Sequence, residues 1–177
     1  LLHSFPTRRS SDLLPAWAKG PETLVICSSH SGNTEETLSS FNEAIERGCS
    51  LMSITTGGKL AELSAINGKI TWKFNHVGQP RTAIGWAVGL LLALFFRLGL
   101  IEDQSLAVEE AASVLAEGIQ KLGKDSPVSS NPAKRLAGQL LGRNIVIYAA
   151  GELEVLARRW KSEINELAKA WAAFEGI

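Results

Sequence analysis

Ser28-Ser29-His30-Ser31-Gly32-Asn33-Thr34-Glu35-Glu36-Thr37 follows the apolar run Leu24-Val25-Ile26-Cys27 and leads straight into a helix-patterned segment. A strand that ends in small hydroxyl residues and a glycine, then opens a helix, builds a seat for a phosphate. The N–H groups of a first helical turn have no partner within the helix, and the helix dipole favours negative charge there. Ser29, Ser31 and Thr34 add hydroxyl donors. No Lys follows in the manner of a nucleotide P-loop, and G-x-G-x-x-G spacing is absent, so a nucleotide is not the natural ligand. The turn reads as a seat for a small phosphorylated metabolite.

On both sides of this turn, strand and helix patterns alternate. Leu24–Ser29 has the composition of a strand buried on both faces. Thr34 to Arg47 places Leu38, Phe41, Ala44 and Ile45 on one helical face, and Gly48 closes that helix. A strand at Leu51–Thr55, a helix at about Lys59–Ile66 closed by Asn67-Gly68, and an edge-like strand at Lys69–Phe74 follow. Strands separated by such helices need crossover connections, hence a parallel sheet with helices on its faces. Pro80 suits the first residue of a helix running to about Leu98. The next helix, about Ser105–Leu122, carries Leu106, Val114, Leu115 and Ile119 as its apolar stripe. The polar, turn-rich stretch 123–132 marks a domain boundary. Beyond it come a helix at Pro132–Leu141, a buried strand at Asn144–Ala149 and one long helix from Gly151 to about Ala170. One strand and two helices cannot close a parallel sheet, so this second α/β unit reads as cut off.

The whole chain sets bounds. Apolar residues make up 45% of its 177, enough for a core, and Lys+Arg and Asp+Glu balance at 18 each. Neither nucleic acid nor an anionic membrane is suggested as a partner. The run 84–96 is too short for a membrane span and has the length of a buried core helix. Cys27 and Cys49 read as free structural thiols in a reducing compartment, which points to the cytoplasm. No His/Cys/Asp spacing supports a metal, and no cofactor is called for. Residues 3–13 resemble the translation of a short-read sequencing adapter and are set apart as non-native.

The unit Ser29-His30-Ser31-Gly32-Asn33-Thr34 resembles the phosphosugar-binding loop of the sugar isomerase (SIS) domain. Five pieces in order resemble, more narrowly, the bifunctional phosphoglucose/phosphomannose isomerase family. They are Leu14-Pro15-Ala16-Trp17, the stretch from Ser31 to Leu38, Thr56-Gly57-Gly58-Lys59-Leu60-Ala61, Gln79-Pro80-Arg81-Thr82-Ala83-Ile84-Gly85 and Asn165-Glu166-Leu167-Ala168-Lys169. The resemblance implies an α/β fold. Residues 14–125 would form most of a first three-layer αβα SIS domain with a parallel sheet, lacking its leading strand and helix. Residues 126–177 would open a second. It also implies a homodimer for the full-length protein, to whose interface the 84–96 helix and the helix after it could contribute, although core burial explains both helices equally well.

The implied reaction interconverts fructose 6-phosphate with glucose 6-phosphate and mannose 6-phosphate through an enediol(ate). It needs a base at the carbon-bound proton, a cation or hydrogen-bond donor at the developing oxyanion, and a grip on the distal phosphate. The resemblance gives the phosphate to Ser29, Ser31 and Thr34 with the N–H groups of Gly32 and Asn33, the enediolate to Arg81, and the proton to Glu166. Against these stand an ordinary capped turn, a surface arginine in a first helical turn, and a solvated helix carboxylate. Glu163, on a nearby helical face, is the alternative base, and Leu167 stands where the family usually has Asn. His30 reads as loop filler, where the family often has an aromatic residue. His76 has no partner at readable spacing. The family's ring-opening His and a further active-site Lys would lie beyond residue 177, so the chain is expected to be a fragment, inactive alone. The other readings are a different SIS sugar-phosphate isomerase and a non-catalytic sugar-phosphate-binding regulator. The regulator lacks support from any basic helix.

Overall fold

The computed structural model describes residues 14–177, so the adapter-like segment 3–13 lies outside the described residues. The chain divides after Leu91 into two compact units. In the first, strands β1 (Leu24–Ser29), β2 (Ser50–Thr55) and β3 (Ile70–Lys73) form a parallel sheet in the order β1-β2-β3. Leu24 lies opposite Ser50, and Met52 opposite Ile70. Helices α1 (Glu35–Glu46) and α2 (Gly58–Ile66) make the crossovers. They touch each other, as two successive crossovers of one hand require.

The core forms where the apolar face of α1 meets β1 and β2. Phe41 and Ala44 are fully buried with Cys27, Cys49, Leu51 and Leu60, and Leu38, Ile45 and Leu63 pack against them. Removing the Phe41 ring would cost about 3–5 kcal/mol through lost transfer energy and a cavity. Both crossover helices stop in the same way. Cys49 N–H bonds Ala44 C=O (2.9 Å) past Gly48, and Lys69 N–H bonds Ser64 C=O (2.7 Å) past Gly68. The chain entering β1 is tied down by Arg47, which donates to Pro15 C=O (2.8 Å) and to Glu43 (2.5 Å), while Glu43 accepts from Leu14 N–H (3.0 Å).

Burial corrects one expectation. β2 is buried from Leu51 to Thr55, whereas Leu24 and Ser28 of β1 are exposed. The physical reason is that β1 is an edge of the described sheet. An open groove of about 310 Å³ runs along it, lined by Leu14, Val25, Ile26, Cys27, Ser28, Glu36, Thr37 and Ser40. Pro80 begins a 3₁₀ turn, Pro80–Thr82, rather than the long helix; α3 (Ile84–Arg97) starts two residues after it.

In the second unit α4 (Ser105–Leu122) is preceded by Asp103, which accepts from both the amide and the hydroxyl of Ser105. Those two bonds hold its carboxyl below the ordinary carboxylate value. The stripe Leu106, Val114, Leu115 and Ile119 is not core: each is 62–82% exposed. Helix α5 (Pro132–Leu140) is capped by fully buried Asn131, which accepts from Lys134 N–H (3.0 Å).

The last part of the chain departs most from the sequence pattern. Strand β4 (Ile145–Ala149) leads through the 3₁₀ turn Gly151–Leu153 into α6 (Glu154–Glu163), then a π-helical turn at Ile164–Ala168. A second strand, β5 (Ala172–Gly176), pairs parallel with β4. The expected single helix to Ala170 therefore ends early, and the unit holds two strands rather than one. β4 is not buried throughout either, since Val146 and Tyr148 are exposed and only its alternate residues turn inward.

Candidate functional site

Ser29 ends β1 almost wholly buried, and its hydroxyl braces the turn from inside. It accepts from Gly32 N–H (3.1 Å) and shares a 2.8 Å hydrogen bond with Thr34 Oγ1. Ser31 Oγ accepts from Asn33 N–H (3.1 Å). The turn is thus preformed, with Ser31, Asn33 and Thr34 on its exposed side. Thr34 stands at the N-cap of α1 without a side-chain cap, so the first-turn N–H groups of that helix have no hydroxyl of their own across them. Glu35 and Glu36 follow at once and offset part of the positive end of the helix.

A second turn, between β2 and α2, packs against the first; it carries the Thr56–Ala61 motif, whose sequence alone assigns it no role. Thr56 donates twice to His30 C=O, from its hydroxyl (2.7 Å) and its amide (3.1 Å). Leu60 N–H bonds Gly32 C=O (2.9 Å), and Lys59 N–H bonds Asn33 Oδ1 (3.2 Å). The turns approach so closely that only glycine fits. A Cβ on Gly32 would lie 1.8 Å from Gly57 C=O, and one on Gly58 2.3 Å from Ser31 C=O. Both glycines also have positive φ, at +68° and +66°.

Arg81 belongs to the same unit, half-buried in the 3₁₀ turn after β3. Its neighbour Thr82 is tied to the Ser29–Thr34 turn through histidines. His30 Nε2 lies 2.9 Å from His76 Nδ1, and His76 Nε2 lies 3.3 Å from Thr82 Oγ1. His76 therefore has partners that its sequence spacing concealed. Phe74 meets His30 edge-on and stacks on Trp86. Cys27, buried in β1, has its thiol pushed up to about 11 by desolvation, so it is a protonated packing group at neutral pH.

Glu166 lies in the second unit, exposed on the π turn. Such turns are uncommon and often mark functional positions. Two features hold this one: Lys169 closes it with φ +55°, and Asn165 Oδ1 accepts from Ala172 N–H (2.9 Å) at the start of β5. Glu163, the alternative base, is instead paired with Arg159 one turn back on α6. Among the described residues, no group of three His, Cys, Asp or Glu is placed to hold a metal ion, and no helix is long and apolar enough to cross a membrane.

Comparison with known proteins bears on this arrangement. Residues 129–177 match the model of the bacterial phospho-glucose isomerase C-terminal SIS domain. Over 163 residues, 92% of the chain, it is 42% identical to a bifunctional phosphoglucose/phosphomannose isomerase of Caldicellulosiruptor bescii. The chain belongs to the bifunctional phosphoglucose/phosphomannose isomerase family. It spans about half the length of the curated relatives it matches, 48% in the Caldicellulosiruptor case. A D-glucosamine-6-phosphate 4-epimerase of Sulfolobus acidocaldarius is a more distant relative, 32% identical over 88% of the chain and 48% of its own length. In fold, the chain is similar to the crystal structure of tagatose-6-phosphate ketose/aldose isomerase from Escherichia coli. The TM-score is 0.59 at 20% identity, over 89% of this chain and 44% of that one.

Proposed function

We propose that this chain carries the phosphate seat and part of the proton-transfer machinery of an aldose–ketose isomerase. That enzyme interconverts fructose 6-phosphate with glucose 6-phosphate and mannose 6-phosphate. The observation that carries the reading is the preformed turn from Ser29 to Thr34 at an uncapped helix start, with the Arg81 turn hydrogen-bonded to it through the side chains of His30, His76 and Thr82. Ser31, Thr34 and the first-turn N–H groups of α1 bind the phosphate, and Ser29, Gly32 and Asn33 hold them in place. Arg81 stabilises the enediolate oxygen. Glu166 takes the proton from C2 of the open-chain aldose and returns it to C1. Once C2 is planar, glucose and mannose 6-phosphates share one enediol. The face on which C2 is reprotonated then decides which aldose forms, so one site serves both sugars. The substrate and product are isomers, and no redox partner enters the balance.

The domain reading goes with this one. Residues 14–125 form most of a first SIS domain, and 126–177 open a second, a boundary supported by the family match that begins at residue 129. The working form is a cytoplasmic homodimer. The epimerase relative favours a second reading, chemistry at C4 of an aminosugar phosphate.

A chimera tests both: this chain replacing the matching residues of the Caldicellulosiruptor bescii isomerase. It should convert fructose 6-phosphate to both aldose phosphates. Glu166→Gln should lower turnover by about 10²–10⁴-fold with fructose 6-phosphate binding kept. Unchanged turnover would remove Glu166 from the mechanism, and turnover of glucosamine 6-phosphate alone would favour the second reading.

A further inference from the structure

The direction of every hydrogen bond between the phosphate turn and the arginine turn can be worked out from one end. The Thr82 hydroxyl has a single proton and lies 2.8 Å from Gln79 C=O, which can only accept. Its oxygen must therefore receive the bond from His76 Nε2, 3.3 Å away. For a neutral imidazole this makes His76 the Nε2–H tautomer, with a lone pair on Nδ1. That lone pair accepts from His30 Nε2–H at 2.9 Å. With both imidazoles neutral, the donors run from His30 to His76 to Thr82 to the Gln79 carbonyl. The chain ends on a carbonyl, so it cannot pass a proton onward, and its task is geometric.

Both ends of this chain are fixed. The His30 backbone is held by the two bonds from Thr56, and its ring edge rests on Phe74, which is stacked on Trp86. At the other end Thr82 N–H bonds Gln79 C=O (2.9 Å), closing the 3₁₀ turn that carries Arg81. Both imidazoles are half-buried. We propose that His30 and His76 are positioning residues that set the distance between the phosphate turn and the Arg81 turn, and so tune the site to a phosphate carried on a sugar rather than to free phosphate. The proposal rests on the sugar-phosphate reading above.

Calorimetry and histidine NMR on the 177-residue chain test it. In ¹⁵N-histidine-labelled protein, a scalar coupling across the hydrogen bond should join His30 Nε2 to His76 Nδ1, and His76 should show the Nε2–H tautomer. His30→Phe and His76→Phe should each weaken fructose 6-phosphate binding about tenfold and change inorganic phosphate binding less than twofold. The double variant should be no weaker than either single one. His30→Gln, whose amide N–H can reach His76, should restore binding to within about twofold. Equal losses for phosphate and sugar phosphate would overturn the proposal by making the pair a structural brace of the turn. An unsubstituted chain that binds both ligands without the N–N coupling would overturn the pair and leave the functional reading standing. A chain that binds neither ligand would remove the functional reading and the proposal with it.

Discussion

The chain runs from a parallel strand into a helix after β1, β2 and β4, and the first and last of these turns differ in what they set at the helix start. After β1 it runs through Ser29, Ser31, Gly32 and Thr34 into α1; after β4 it runs through Ala150, Gly151, Glu152 and Leu153 into α6. Both follow a parallel strand and open a helix, so both inherit the partial positive charge of a helix start. The first turn leaves that charge facing hydroxyls and docks onto the neighbouring β2–α2 turn with no room for a Cβ. Both helices carry carboxylates in their first turn, Glu35 and Glu36 in α1 and Glu154 in α6. Glu154 opens α6, and a Cβ built on Gly176 would lie 2.6 Å from its carboxylate, so this carboxylate lies over the end of β5. Topology supplies the positive end at both turns, and the side chains set around it differ.

The largest test of this contrast uses glycines. Gly32→Ala forces a Cβ into Gly57 C=O as well as a left-handed backbone, and should cost roughly 4 kcal/mol or more in urea unfolding of the first unit. Gly151→Ala meets nothing within 4 Å and should cost only the left-handed backbone term, about 1–2 kcal/mol. Equal costs would mean that the docking of the two turns adds nothing.

The hydroxyls come next. Ser29→Ala removes the hydroxyl's bonds to Thr34 and to the Gly32 amide, which keeps only its 3.3 Å bond to Ser29 C=O, and should lower stability by about 1 kcal/mol. Ser31→Ala, on the exposed side, should stay within about 0.5 kcal/mol while weakening inorganic phosphate binding several-fold in calorimetry. The reverse pattern would exchange their roles. The smallest effect is electrostatic. Glu35→Gln should raise phosphate affinity about twofold in low salt, and the gain should vanish in concentrated salt. Glu154→Gln should leave phosphate binding unchanged and cost the second unit a few tenths of a kcal/mol.

The first unit was legible in sequence because its signals are local and agree. The spacing of Leu38, Phe41, Ala44 and Ile45 names the buried face of α1, and Gly48 and Gly68 stand where the two helices stop. The end of the second unit was not. Ala172-Ala173-Phe174 has the composition of a helix, and the helix before it ends on a π turn closed by Lys169, not on a glycine. Pairing with β4, a tertiary effect, overrides that propensity. The site divides likewise. The hydroxyl turn is contiguous and could be read directly. The contact between His30 and His76 joins residues 46 positions apart, and only the sheet brings them together.

The docking of the two glycine turns has a practical consequence for redesigning ligand preference. Residues 31–34 and 57–59 cannot be varied as separate cassettes, because the backbone of each is the wall against which the other is cast. A library that randomises Gly32, Gly57 or Gly58 would mostly sample chains with no turn at all. One that fixes those three and varies Ser31, Asn33 and Lys59 together would keep the mould intact while changing what it receives.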